Sequence, residues 1–412
     1  MTSPIDISKY FTHLKKINTN TIHFEIHHLH LSMVNAFRRV ILSEIPTVGF
    51  RTEPYTESTV KIITNTSSLH NEFLAHRIGM IPIGYQNVNE YDETEYKYIL
   101  KIKNTSKVII NVSSKDIQVL RLDKTTGEYT LLNSKERDSF FPPDPITKDY
   151  ILINRLKPDV TDEDNGEEIH IEATAVVSNG KENARWSPVC LSTFHNKIDN
   201  EKKTVLFNKI KDEFKKNNEG SISKEDEQAL QHRFDIFEAD RIFHTNKHNE
   251  PNNFVFKVES IGILKPKNII LKAIRLIEDK INTFLLNLKK DNSDIISVYP
   301  SNTSQEAVDI SIKNEDHTLG NIIQSHFNYY DDSIDEYFFP HRENINFVGY
   351  YEPHPLDHQI VVRIGLTKSY ENKRRKEVSE YNRIEEVKNM VSLCMNKVIR
   401  LCKTLYADFE KL

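Results

Sequence analysis

The sequence is poor in the residues that most site chemistry depends on. Its 412 residues hold three cysteines, Cys190, Cys394 and Cys402. They are too few and too scattered for a disulfide framework, and they fall short of a four-thiolate zinc site. Eleven glycines leave few places where a backbone could close on a phosphate, and no GxxxxGK[ST] or GxGxxG stretch occurs. HExxH and GxSxG are missing too. No catalytic residue, cofactor or metal is therefore expected. No apolar run approaches the ~18 residues needed to cross a bilayer. The opening residues, MTSPIDISKYF, have no basic segment followed by an apolar one, so neither a secretory leader nor a membrane contact is expected. The expected location is intracellular.

The balance of charge excludes another class. With 55 basic and 60 acidic residues the net charge is −5. A chain whose main task is to wrap phosphate backbone is usually basic overall. At 38% hydrophobic and 28% charged, the composition instead suits packed globular units, and the length suits two or three of them.

Strand and helix periods divide the chain. In 21–29 (TIHFEIHHL), Ile22, Phe24 and Ile26 alternate as a half-buried strand. Ser32 reads as the N-cap of a helix whose stripe is Val34, Phe37, Ile41 and Ile45, ended by Pro46. Arg38 and Arg39 lie at the edge of that stripe. A short helical pattern, LHNEFLAHRIGMIPIG, is ended by Gly79 and Pro82. From 85 to 195 the texture is β, with Asn179-Gly180 as a turn signal. Residues 196–250 are charged and helical, read as surface helices or a partly mobile connection. FVFKVES is a strand, and Pro266 starts a long helix carrying Ile270, Ile274, Ile277, Ile281, Leu285 and Leu288. The histidines His23, His27, His28 and His30 are the one suspicious chemical cluster. No carboxylate or thiol completes a metal site beside them, and they are read as strand-face side chains.

The last segment repeats the first. With Asn35 set on Asn321, Phe24 and Ile26 fall on Ile310 and Ile312, Ser32 on Thr318, and Phe37 and Ile41 on Ile323 and Phe327. VGFRTEP (48–54) and VGYYEP (348–353) read as equivalent strands. Each copy closes with a long amphipathic helix, 266–290 and about 378–410, the latter striped by Val387, Val391, Cys394, Val398, Cys402 and Leu405. Two related units in one chain imply an intramolecular two-fold dimer. The expected seam is Asn35, Phe37, Ile41, Ile323, Phe327, Val391 and Val398. The fold class is α+β: two dimerisation units as a pseudo-dimer, with a β-rich domain inserted in the first. The expected parts are 1–84 and 251–292 for the first unit, 85–195 for the insert, 196–250 for the connection and 293–412 for the second unit.

These residues carry a specific resemblance. NAFRRVILSEIP (35–46), NTSSLHNEFLAHRIGMIPI (65–83), ILINRLKP (151–158), EIHIEATAVVSNGKENARWSPV (168–189) and FKVESIG (256–262) resemble, in order, the α-like subunit of cellular RNA polymerases. That group includes the bacterial α N-terminal domain, the archaeal D subunit and the third-largest subunit of RNA polymerase II. NEDHTLGNII (314–323) and FVGYYEPHPLDHQIVVRIGL (347–366) resemble its small partner, archaeal L or the RNA polymerase II counterpart. Fusion of the two resembles the arrangement in large cytoplasmic DNA viruses.

The resemblance implies a non-catalytic assembly platform on which the largest and second-largest polymerase subunits dock, with DNA met only through the complex. It assigns Arg38 and Arg39 to the second-largest subunit; the second copy has Gln324 and Ser325 there. It implies packing roles for His76, Arg77 and His317. Several relatives carry a cysteine-rich metal site in the insert, but this chain has only Cys190 there. Trp186 is read as core of the insert, and Lys373–Lys376 as a solvated loop. The location implied is host cytoplasm and virion if the source is viral, nucleus if cellular. The alternative is a free-standing transcription scaffold derived from such a subunit.

Overall fold

The computed structural model describes residues 10–159, 166–217, 222–290, 294–302, 307–328, 345–367 and 380–412. The chain opens with the antiparallel pair β1 (Phe11–Lys16) and β2 (Thr21–Ile26). Strand alternation sends Ile22, Phe24 and Ile26 to the buried face. α1 (Leu31–Ser43) follows, with Val34, Phe37 and Ile41 buried along one stripe. Its cap is not Ser32. His30 caps it, Nδ1 accepting the Ser32 N–H at 3.1 Å, which leaves the Ser32 hydroxyl for a contact elsewhere.

The insert begins directly after α1. It comprises β3 (Thr47–Gly49), β4 (Val60–Asn65), α2 (Asn71–Gly79), β5 (Tyr96–Lys103), β6 (Ile110–Ser113), β7 (Gln118–Leu122), β8 (Tyr129–Leu131), α3 (Ser134–Phe140), β9 (Leu152–Leu156), β10 (Glu168–Ala173) and β11 (Val176–Ser178). A five-stranded sheet runs β4-β10-β5-β7-β8, beside the pair β6-β9. β3 pairs with β11, so the entering and leaving strands close the root of the insert. Trp186 is buried at that root. A Cβ on Gly49 would lie 2.9 Å from the indole Nε1, so only glycine lets β3 approach this closely.

Two expectations are corrected here. Phe50, Leu74, Ile78, Ile81 and Ile83 share a second core with Leu100 and Ile169, so residues 47–83 pack with the insert and not with the first unit. VGFRTEP is thus not the counterpart of VGYYEP. Periodicity shows that a short helix has an apolar face; it does not say which sheet that face covers.

β12 (Val189–Asn196), placed by sequence in the insert, returns to the first unit. α4 (Asn200–Asn217) and α5 (Lys224–Phe237) then form an excursion before β13 (Phe254–Ser260), which pairs with β12, and α6 (Pro266–Leu288). Pro266 stands at the first helical turn, where its missing N–H costs nothing. The first unit's sheet is β1-β2-β13-β12.

The second unit has β14 (Ile296–Pro300), β15 (Ala307–Lys313), α7 (His317–Asn328), β16 (Ile345–Tyr351), β17 (Gln359–Leu366) and α8 (Glu380–Lys411), with sheet order β14-β15-β17-β16. Strand for strand this is the first sheet again. α6 and α8 lie antiparallel: Lys267 Nζ donates to Glu410 O at 2.9 Å, and the Arg275 guanidinium sits 4.3 Å above the Tyr406 ring. Phe409 of α8 packs on Phe11 and Phe24 of the first sheet, with ring centroids 5.0 and 5.2 Å away. One continuous apolar core therefore joins both units.

Candidate functional site

The seam between the units joins α1, α6, α7 and α8, and the insert reaches it through Lys181. Phe37 and Ile41 of α1, Ile323 and Phe327 of α7, and Val391 and Val398 of α8 all lie in the shared core. Each fully buried side chain of this size contributes about 1.5–3 kcal/mol. Asn35 is only half-buried, and its Oδ1 accepts from Arg38 Nε at 2.9 Å on the same helix.

Polar contacts across the seam obey a two-fold rule. Ser32 Oγ lies 2.6 Å from Ser325 Oγ, and Arg39 Nε donates to Thr318 Oγ1 at 2.8 Å. In the register that sets Asn35 on Asn321, Ser32 matches Thr318 and Arg39 matches Ser325. The two contacts are thus the same contact related by symmetry, as an isologous interface demands. Thr318 is not the N-cap of its helix; Asp316 Oδ1 accepts its N–H at 2.8 Å.

A part-buried ionic cluster ties the seam to the insert. Lys280 Nζ of α6 lies 2.9 Å from Glu44 and 3.1 Å from Glu315. Lys181, just past β11, reaches Glu44 at 3.1 Å and Asp316 at 3.3 Å, and Arg39 also meets Asp316 at 3.3 Å. Burial alone would lower the Lys280 pKa, but the Glu315 and Glu44 carboxylates outweigh it and raise it. Burial pushes Glu315 up despite Lys280. Partial burial would raise Asp316 too, yet the Thr318 hydroxyl and N–H, with Lys181 and Lys280, hold it far below the usual carboxylate range. Three charged residues of one cluster thus sit in different electrostatic states within one network.

Imidazoles line the same seam. His30 Nδ1 is 2.8 Å from Ser32 Oγ, and His326 Nδ1–H donates to Ile322 O at 2.9 Å. Burial lowers both rings to about 4, so they stay neutral. Of the other histidines of the first cluster, His27 and His28 keep ring centroids 6.3 Å apart, but β2 ends at Ile26 and His28 has a left-handed backbone with φ 56°. His28 and His30 therefore do not share a strand face. Among the described residues no three His, Cys, Asp or Glu side chains meet to hold a metal ion. Burial pushes the Cys394 and Cys402 thiols up to about 12, which suits packing groups and not nucleophiles.

The arginine pair is divided. Arg39 is committed across the seam. Arg38 keeps only Asn35, with no carboxylate at ion-pair distance among the described residues. Its counterpart Gln324 accepts from Tyr350 N at 3.3 Å. Arg77 donates to Ile153 O and Leu152 O, both at 2.7 Å, a structural role; His76 is exposed. His317 lies 3.4 Å from Glu352. Lys373–Lys376 fall outside the described residues. Sequence reading missed Lys280, Glu44 and Lys181. A lysine between Ile277 and Ile281 on a buried helix was the available signal for the first.

Fold and seam define a two-fold dimerisation protein closed within one chain. Residues 23–281 match the RNA polymerase Rpb3/Rpb11 dimerisation domain, and residues 307–404 match a second form of it. The chain belongs to this family, as a fused α-like polymerase subunit. It is similar to RNA polymerase II subunit RPB3 of Schizosaccharomyces pombe, 24% identical over 71% of this chain and 92% of the relative. It is 26% identical to subunit RPAC1 of RNA polymerases I and III of Homo sapiens, over 65% of this chain and 82% of that one. A conjugation stage-specific protein of Tetrahymena thermophila is 24% identical over 66% of this chain and 92% of its own length. No described helix is long and apolar enough to cross a membrane.

Proposed function

We propose that this chain is the assembly platform of a multisubunit DNA-directed RNA polymerase, on which the largest and second-largest subunits dock. It supplies no active site and meets DNA only through the complex. The observation that carries this reading is the pair of symmetry-related seam contacts, Ser32–Ser325 and Arg39–Thr318, inside one polypeptide. Fusion turns a two-chain encounter into an intramolecular one, and so presents the bipartite surface ready-formed.

Arg38 is the residue that reaches the second-largest subunit. Asn35 orients its Nε, and the rest of the fork is available for a bidentate carboxylate contact. Arg39 supports it by fixing α1 against α7. The second unit offers Gln324 where the first has Arg38, so the platform has two different faces for two different partners. The fused arrangement supports a virus-encoded polymerase, working in host cytoplasm and packaged in virions. Affinity purification of the tagged chain from its source, with mass spectrometry, tests the reading. Equimolar recovery of two large subunits with RNA synthesis is expected, and Arg38→Ala should release one of them. A chain recovered alone would overturn it.

A further inference from the structure

We propose that the outer face of the first unit's sheet is a docking site for an acidic segment of another polypeptide, one of whose carboxylates is held between Lys15 and Lys257 beside His23. Strand register puts these side chains in one row. Lys15 of β1 faces His23 of β2, His23 faces Lys257 of β13, and Lys257 faces Thr193 of β12. Directly opposed residues of antiparallel strands share a face, with Cβ atoms about 5 Å apart. The next residues along, Phe24, Phe256 and Val258, point into the core, so the row looks away from α1 and α6. This row has cations and no anion of its own. Glu25, on the same face, is taken by Lys197 at 2.6 Å, with His27 at 3.4 Å and His13 at 3.9 Å. Glu259 stands two residues beyond Lys257 on β13 and makes no ion pair with it among the described residues. His23 Nε2 is buried with no hydrogen-bond partner among the described residues. Burial, then the positive fields of Lys257, His195 and Lys15, lowers the pKa of its ring.

The second unit shows what fills the corresponding place. In the register that sets Asn35 on Asn321, His23 falls on Asp309. Asp309 faces Arg363 of β17 just as His23 faces Lys257. There the pairing is complete: Arg363 Nε and Nη2 donate to the two Asp309 oxygens, both at 2.7 Å, and Asp309 is only 2% exposed. The second sheet thus carries its own carboxylate against its basic residue. The first sheet has the cation, with an imidazole where the carboxylate would stand. An aspartate or glutamate from a partner restores the charge pairing that the other half of the molecule makes internally. A nucleic-acid strand suits this face less well. The phenylalanines of the four strands all pack in the core, leaving no ring for a base to stack on, and Glu25 and Glu259 interrupt a phosphate track.

The face lies opposite the α1 surface and its variants leave Arg38 in place, so this proposal and the platform reading can fail separately. The test is binding of a labelled Gly-Asp-Gly-Asp-Gly-Asp-amide peptide to the full chain by fluorescence anisotropy at low salt. Saturation below about 1 mM is expected, and the peptide with asparagine for aspartate should bind at least about tenfold more weakly. Lys15→Gln and Lys257→Gln should each weaken binding about fivefold. Lys135→Gln removes the same charge from an exposed position on α3 of the insert and should change little. His23→Asp is decisive. It gives Lys257 a carboxylate within the chain, as Asp309 does for Arg363, and should abolish binding without lowering the melting temperature. If His23→Asp lowers melting, the lysine variants decide. No saturation, equal binding of the asparagine peptide, equal losses in Lys135→Gln and Lys257→Gln, binding retained by a folded His23→Asp, or tighter binding of a labelled oligothymidylate would each overturn the proposal.

Discussion

The two dimerisation units have the same sheet order and the same two helices, yet one is interrupted twice and the other is compact. In the first, the insert enters between α1 and β12, and α4 with α5 extend the turn between β12 and β13. In the second, β16 and β17 are joined by residues 352–358 alone. Both interruptions fall at connections, where added chain costs little beyond loop closure and leaves the packed faces untouched. The units also differ at the seam itself. Arg38 and Arg39 stand where the second unit has Gln324 and Ser325. A symmetric scaffold has thus kept its packing while its polar surface diverged.

The largest test of the symmetry is a buried charge placed on either side of it. Phe37→Asp and Ile323→Asp should each destabilise the chain by at least about 4 kcal/mol, measured by chemical denaturation. If only one did so, the seam would not be shared. Lys280→Ala leaves Glu44 and Glu315 near each other without their common cation. A loss of about 3–5 kcal/mol is expected, since removing one partner strands a buried charge.

Acid tests the imidazole pair. His30 and His326 titrate near 6.5 when unfolded and near 4 when folded, so the unfolded chain binds protons first as pH falls. Their contribution is complete above about pH 6.5 and is lost on the way down to about pH 4. Each histidine accounts for up to roughly 3 kcal/mol. His30→Asn keeps a capping side chain and should remove about half of this pH dependence, read from denaturation midpoints between pH 7 and 4. An unchanged profile would show that His30 is not held neutral by the seam.

The smallest effect separates the arginines. Arg39→Ala should cost about 1 kcal/mol through the Thr318 hydrogen bond, while Arg38→Ala should leave stability within about 0.5 kcal/mol. Equal costs would erase the distinction between a seam residue and a docking residue.

Much of the fold was legible beforehand. The alternation in β2 and β15, the stripes of α1, α6, α7 and α8, and the register of the repeat all follow from side-chain period, which is a local property. The register that set Asn35 on Asn321 is the one in which the Ser32–Ser325 and Arg39–Thr318 contacts become symmetric. The insert's boundary was not legible. Leu74 and Ile78 announce a buried face, but the sheet they cover is decided by β10 and β5, more than ninety residues and about twenty residues away in sequence.

The sequence by itself determined that this chain is two related halves, each a sheet with a short and a long amphipathic helix, because hydrophobic period and repeat are written residue by residue. Only the tertiary structure decided the division of labour between Arg38 and Arg39, the partners of Lys280, the neutrality of His30 and His326, and the row that joins Lys15, His23 and Lys257. Each of these depends on which distant groups arrive beside a side chain or strand, and on how much water they leave there. Neighbours in sequence do not encode that; the closing of the seam does.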